Sequence, residues 1–210
     1  MVKITWNAGK PALANAISAD VPDIEENFDV LGKYNTIWIG AGAMTPLSTN
    51  GAAAGVKEYA TNDVMMDYFA FDGTTEEYVS FTLVMPENWD LSTVLAKVYW
   101  APGSASCSAG DTVEWQIQGI SITDDDAIDT AYTDAGEVIS GTVLAGKNAD
   151  LHVTAKTPAI TINGTPAAEH LVNFKVSRNV AGTDTMTEDA WLFGVVIQYA
   201  ASVGIDSAWS

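Results

Sequence analysis

Between Glu77 and Ile122 three strand-like runs are separated by two turn-rich breaks, and two of them alternate side chains with a period of two. In Thr93–Trp100, Val94, Ala96, Val98 and Trp100 point one way while Leu95, Lys97 and Tyr99 point the other. In Thr112–Ile122, Val113, Trp115 and Ile117 alternate with Glu114, Gln116 and Gln118. Successive side chains of a strand project from opposite faces, so this period with aromatic and β-branched residues marks half-buried strands. The breaks at Pro86–Asp90 and Gly103–Gly110 are too short for a crossover helix, which makes an antiparallel sheet the expectation.

The rest of the chain extends this pattern. Asn35–Gly40, Val64–Phe71, Glu77–Met85, Val138–Leu144, Leu171–Arg178 and Ala190–Ala200 read as further strands, with shorter pieces near Ala149–Thr154 and Ala159–Ile162. Asp72–Gly73–Thr74 carries the chemistry of a tight hairpin turn, and Asn163–Gly164 offers another. Ala41–Asn62, with Pro46, Gly51 and Gly55, reads as a long irregular passage with weak strand content. In the last run Trp191, Phe193, Val195, Ile197 and Tyr199 are expected on one face, opposite Leu192, Gly194, Val196 and Gln198. About eight strands without a repeat period fit an all-β, antiparallel two-sheet β-sandwich. A jelly-roll-like arrangement is preferred because the Cys…Trp…Cys framework of immunoglobulin-like sandwiches is absent. The expected boundaries are residues 1–35 for an arm and short helix, 36–201 for the sandwich, and 202–210 for a tail.

The helix follows from local chemistry. In ISADVPDIEENFDVLGK, Asp20 or Ser18 can cap the free N–H groups, Pro22 suits the first turn, and Asp23, Glu25 and Glu26 favour the positive end of the dipole. Ile24, Phe28 and Leu31 form one apolar stripe, and Gly32 can close the C-terminus. A helix this short needs a dock, either its own domain or a neighbouring subunit. Trp6, Ile24, Phe28 and Leu31 are therefore the candidate attachment residues.

Charge narrows the function classes. Twenty-seven acidic and nine basic residues leave a net charge of -18, with Arg178 the single arginine, so a phosphate backbone is repelled and nucleic acid is an unfavourable partner. The N-terminus MVKITWNAGKP lacks the apolar core of a signal peptide, and no run of about 18 apolar residues can span a membrane as a helix, so synthesis in the cytoplasm is expected. Cys107 is the sole cysteine, which rules out an intrachain disulfide.

No motif points to catalysis, and a non-enzymatic protein without a cofactor is expected. His152 and His170 lack metal-ligand spacing, GSASCSAG is no nucleophile elbow, and GAGAM lacks the helix and acidic partner of a dinucleotide site. Asp124, Asp126 and Asp129 crowd one loop, where the alternatives are a turn cap with solvated carboxylates or a calcium site; an EF-hand order is missing. Asn163–Gly164–Thr165 matches a glycosylation sequon. Trp38 and Trp89 lie near loops, where an indole can stack on a sugar, anchor an interface or plug the end of the sandwich.

The segments GAAAGVKEYATNDVMMDYFAFDGTTEEYVSFTLVMPENWD, KVYWAPGSASCSAGDTVEWQIQG, DDDAID and TEDAWLFGVVIQY together resemble virion structural proteins of tailed bacteriophages. The resemblance runs from about Ile37 to Tyr199 and implies a capsid decoration, head-fibre or tail-associated β-sandwich. It implies further a particle protein fixed to the major capsid or another virion protein through its N-terminal segment. A carbohydrate-binding jelly roll serving host recognition is the alternative. Strands such as Val64–Phe71 and Ala190–Val196 are apolar on both faces, so self-association is expected; the choice of a trimer follows from the resemblance.

Overall fold

The computed structural model describes residues 34–202, apart from residue 148 and the side chain of residue 92. The expected arm and helix, with Trp6, Ile24, Phe28 and Leu31, and the expected tail beyond Ser202 lie outside the described residues. Within them the chain forms twelve strands: β1 (Tyr34–Gly40), β2 (Thr45–Pro46), β3 (Ala53–Tyr59), β4 (Val64–Phe71), β5 (Tyr78–Val84), β6 (Trp89–Pro102), β7 (Thr112–Ile122), β8 (Glu137–Thr142), β9 (His152–Val153), β10 (Ile162–Asn163), β11 (Leu171–Arg178) and β12 (Ala190–Ala201). A 3-10 turn at Ala41–Ala43 follows β1.

The strands build two six-stranded sheets. Sheet A runs β3-β4-β12-β6-β9, with β1 also on β12; sheet B runs β10-β7-β11-β5-β2, with β8 also on β7. The named strands pair antiparallel except β10, which lies parallel to β7. The fold is an all-β, jelly-roll-like β-sandwich.

Sequence neighbours are not sheet neighbours along the central stretch. β5 and β7 belong to sheet B with β11 between them, while β6 belongs to sheet A. The two breaks are thus arches between sheets rather than links within one antiparallel sheet. Asp72–Gly73–Thr74 is likewise an arch from β4 to β5 and not a hairpin. Asp72 Oδ1 accepts hydrogen bonds from Thr74 N at 2.6 Å and Thr75 N at 2.8 Å, which folds the chain sharply at that corner. The hairpin lies earlier: β3, inside the passage expected to be irregular, pairs with β4 from Ala53↔Ala70 to Tyr59↔Val64.

The inner faces follow the alternation. Val94, Ala96, Val98 and Trp100 of β6 are buried against Val113, Trp115 and Ile117 of β7 in one core cluster. Phe71 meets Trp115 edge-on at 5.1 Å between ring centroids, and Phe81 stacks on Phe174 at 5.1 Å. Trp89 is only 2% exposed and belongs to this core. It cannot serve as a glycan platform, because the corner before β6 turns its indole back under the sandwich end.

β12 departs from strict alternation. Leu192 pairs with Trp100 and Gly194 with Tyr99, so Phe193 is an extra residue in a bulge. The bulge shifts the phase of the strand. Leu192, Val195, Ile197 and Tyr199 face the core, whereas Trp191 joins Gly194, Val196 and Gln198 on the outer face of sheet A. The expected Trp191-to-Tyr199 face is therefore split, because period two holds only between irregularities.

Arg178, at the end of β11, is fully buried and saturated. It donates to Asp184 Oδ2 from Nε and Asp184 Oδ1 from Nη2, both at 2.8 Å, to Phe71 O at 3.1 Å and Glu188 O at 2.7 Å, and also to Met186 O. One guanidinium thus joins sheet B, the end of β4 in sheet A, and the loop from 179 to 189. Taking one member from a buried, hydrogen-bonded pair costs more than an exposed pair contributes, because the partner charge is left uncompensated. R178M should lower the unfolding free energy by roughly 3–5 kcal/mol. K147A, which breaks the exposed Lys147–Asp150 pair, should stay within about 0.5 kcal/mol. Urea denaturation measures both; a loss below about 1 kcal/mol in R178M would show that Arg178 does not hold the sheets together.

Candidate functional site

The two outer faces of the sandwich differ. Sheet B is strapped by the loop from 123 to 136. Tyr132 donates from its hydroxyl to Asn173 Oδ1 at 2.5 Å, Thr133 N to Asn163 Oδ1 at 2.9 Å, and Asn163 Nδ2 to Asp134 Oδ2 at 3.1 Å. Lys175 lies between two rings, 4.6 Å from the Tyr132 centroid and 5.3 Å from that of Tyr78, and burial lowers its pKa. Asn163 is buried in this strap, so the amide of the sequon is committed to the fold.

Among the described residues no such strap is tied over sheet A, and its outward rows are aromatic. Tyr34 and Trp38 come from β1, Tyr68 from β4, Tyr99 from β6 and Trp191 from β12. Tyr68 stacks on Trp191 at 4.3 Å with planes 23° apart. Trp38 meets Tyr99 edge-on at 5.0 Å and 82°. Trp38 and Tyr99 sit on strands separated by β12, and Gly194 makes their contact possible. A β-carbon there would stand 2.4 Å from the Trp38 indole and 2.5 Å from Ile39 O, so the indole fills the space a side chain would take. Trp38 keeps 52% of its surface exposed, a costly arrangement for the largest apolar side chain unless something covers it.

Beside this pair a shallow groove of about 250 Å³ is lined by Thr36 of β1, Val196 and Gln198 of β12, Leu95 to Lys97 and Tyr99 of β6, and Lys156. Trp38 borders it, opposite Val196 in the β1–β12 register and in contact with Tyr99. Lys156 Nζ donates to Gln198 Oε1 at 2.6 Å and lies 6.0 Å from the Tyr34 ring centroid. Hydroxyl, amide and ammonium groups therefore surround one aromatic ledge. Such an arrangement can hold a ligand with an apolar face and a hydroxylated rim.

The other candidates do not assemble. Asp124, Asp126 and Asp129 are exposed, and among the described residues no three His, Cys, Asp or Glu side chains group as a metal site. Asp126 caps the turn by accepting from Thr123 N at 3.0 Å. His152 packs on Trp100 at 5.0 Å with Nε2 2.9 Å from Lys147 O, and His170 sits between the hydroxyls of Ser121 and Thr123. Burial first, then Glu188 and Asp111, pushes the Cys107 thiol up, away from a reactive thiolate. Buried Glu114 accepts from Asn179 Nδ2 at 2.5 Å and from Thr183 N at 3.1 Å and Oγ1 at 2.7 Å, holding the loop after β11. Among the described residues, Trp38 is the one sequence candidate that borders the groove. Lys97, Tyr99, Lys156 and Gln198 were not singled out, although the polar face of Thr93–Trp100 already held two of them.

No family model and no curated protein matches the sequence. Solved structures with a similar course include a carbohydrate-binding module of family 36 in complex with calcium and xylotriose, at 16% identity and TM-score 0.36, covering 77% of this chain and 97% of that one. A mannan-recognising module of family 27 gives 8% identity and TM-score 0.41, covering 80% and 99%. A carbohydrate esterase from the Shiga toxin-encoding bacteriophage phi24B gives 10% and 0.34, covering 83% and 93%. At these identities and scores the likenesses carry no inference about ligand or activity.

The strap over sheet B has a titration signature. Burial pushes the Tyr132 phenol from 10.0 up to about 12. The folded state favours the neutral phenol, so its stabilising contribution is complete below pH 10.0 and is lost as pH rises through about 12. Absorbance titration of the wild type minus Y132F should show one phenol ionising near 12, with stability falling less steeply in Y132F over that window. A difference curve centred at 10.0 would mean that the strap leaves Tyr132 in water.

Proposed function

We propose that this chain is a non-catalytic carbohydrate-binding β-sandwich whose ligand lies along the outer face of sheet A. The observation that carries the reading is the half-exposed Trp38, held edge-on to Tyr99 by the glycine at 194 and bordered by a polar groove. A pyranose ring has a C–H face that suits the negative face of an indole, and a rim of hydroxyls that suits Gln198, Thr36 and the lysines. Both aromatic pairs lie along β12, so several sugar units can be contacted in line. Strands fix this surface, which limits the ordering cost of binding.

Isothermal titration calorimetry with neutral and acidic oligosaccharides tests the reading. W38A should weaken binding by about 10-fold or more, as expected for a central aromatic anchor. Its unfolding midpoint should stay near the wild-type value because Trp38 lies outside the core. If the wild type binds no oligosaccharide at millimolar concentration, the reading falls.

A structural role in a tailed-phage particle is the second reading, and the β3–β4 hairpin favours it. Val56, Val64 and Met65 are 60%, 48% and 58% exposed, and among the described residues β3 leaves one edge unpaired. Val56 and Met65 share one face and Tyr59 and Val64 the other, so the hairpin offers apolar area on both sides. Such an edge pairs readily with another chain, and a second copy of this protein presents the matching strand. In this reading the sandwich self-associates while the N-terminal segment attaches to the shell. Sedimentation equilibrium should give a mass above 22.2 kDa for the wild type and a return to 22.2 kDa for the V56E/M65E double variant. A wild type that sediments at 22.2 kDa would overturn it.

A further inference from the structure

Charge on the open face of sheet A runs against charge in the chain. The whole sequence carries 27 acidic and nine basic residues. Yet among the described residues the groove beside Trp38 is lined by two lysines, Lys97 and Lys156, and by no carboxylate. The outward positions of β1, β4 and β12, and of β6 from Leu95 to Ala101, also lack aspartate and glutamate. Neither lysine forms an ion pair with a carboxylate among the described residues; the two ion pairs there are Lys147–Asp150 and Arg178–Asp184. Lys156 gives one hydrogen bond to the neutral Gln198 amide, which positions its ammonium and leaves two N–H donors unused.

From this we infer that the ligand of the groove is an anionic oligosaccharide, with carboxylate or sulfate groups seated between Lys97 and Lys156 while a sugar ring covers Trp38. The inference rests on the carbohydrate-binding reading and names its substrate class. Among the described residues no carboxylate pairs with either ammonium group, so an anion brought between the two gains from both. Charges more than about 8 Å away are largely screened at physiological ionic strength, so the groove's own charges dominate at contact. A neutral sugar would leave both charges unmatched and would gain only hydrogen bonds and stacking.

Calorimetry with matched ligands separates the outcomes. The probes are an oligogalacturonate, the same oligomer with its carboxylates methyl-esterified, a sulfated dextran oligomer, and neutral xylo- and manno-oligosaccharides. The wild type should bind the oligogalacturonate or the sulfated oligomer at least tenfold more tightly than the methyl ester and the neutral sugars. The arm that responds identifies carboxylate or sulfate as the anion. K97M/K156M should reduce that preference to below twofold, and W38A should weaken charged and uncharged ligands alike. K156M alone reports the contribution of the lysine fixed by Gln198 and guards against misfolding of the double variant, whose unfolding midpoint is recorded alongside. Neutral ligands that bind as well as charged ones, or an unchanged preference in a folded double variant, would overturn the inference while leaving the carbohydrate reading intact. Absence of binding to every probe would overturn both.

Discussion

Arg178 is the interaction on which the two-sheet arrangement depends. Its five N–H donors reach Asp184, Phe71, Met186 and Glu188, so the last residue of β11 fixes the end of β4 and the course of the loop leading into β12. A planar, permanently charged fork can satisfy several carbonyls and a carboxylate at once; a lysine in the same place would leave carbonyls without donors. The neighbouring Glu114 network pins the first part of the same loop through Asn179 and Thr183. Apolar packing holds the middle of the sandwich, and these charged groups hold one end, where the sheets separate and backbone atoms would otherwise be buried without partners.

That end leads directly to the open face. The loop delivers the chain to β12, the centre of sheet A, and the bulge at Phe193 decides which side chains look outward. With the bulge, Trp191 leaves the core and stacks on Tyr68, and Gly194 comes into line with Gly40 and Tyr99. Gly194 then leaves room for Trp38 to cross the strand. A one-residue irregularity and a missing side chain thus convert a plain sheet surface into an aromatic ledge beside a polar groove. Sheet B follows the opposite course, because the loop from 123 to 136 folds over its outer face and ties Tyr132, Thr133 and Asp134 to the strands beneath. Among the described residues one face is covered by the chain's own loop, while Trp38 on the other stays half exposed.

The alternation of residues along the chain determined the strands and the all-β class, and on β6 it separated buried Val94, Ala96, Val98 and Trp100 from outward Leu95, Lys97 and Tyr99. These are local properties: a period of two states which residues share a face. Only the tertiary structure decided which strands pair, that Asp72–Thr74 is an arch, that Trp89 is core while Trp38 is open, and that Trp191 turns outward. Pairing joins residues far apart in sequence, a bulge resets the phase without changing composition, and whether a face is solvated depends on which loop folds over it. The groove combines β1, β6, β12 and Lys156, four pieces that no local pattern connects, so its residues become a site only once the sheet is assembled.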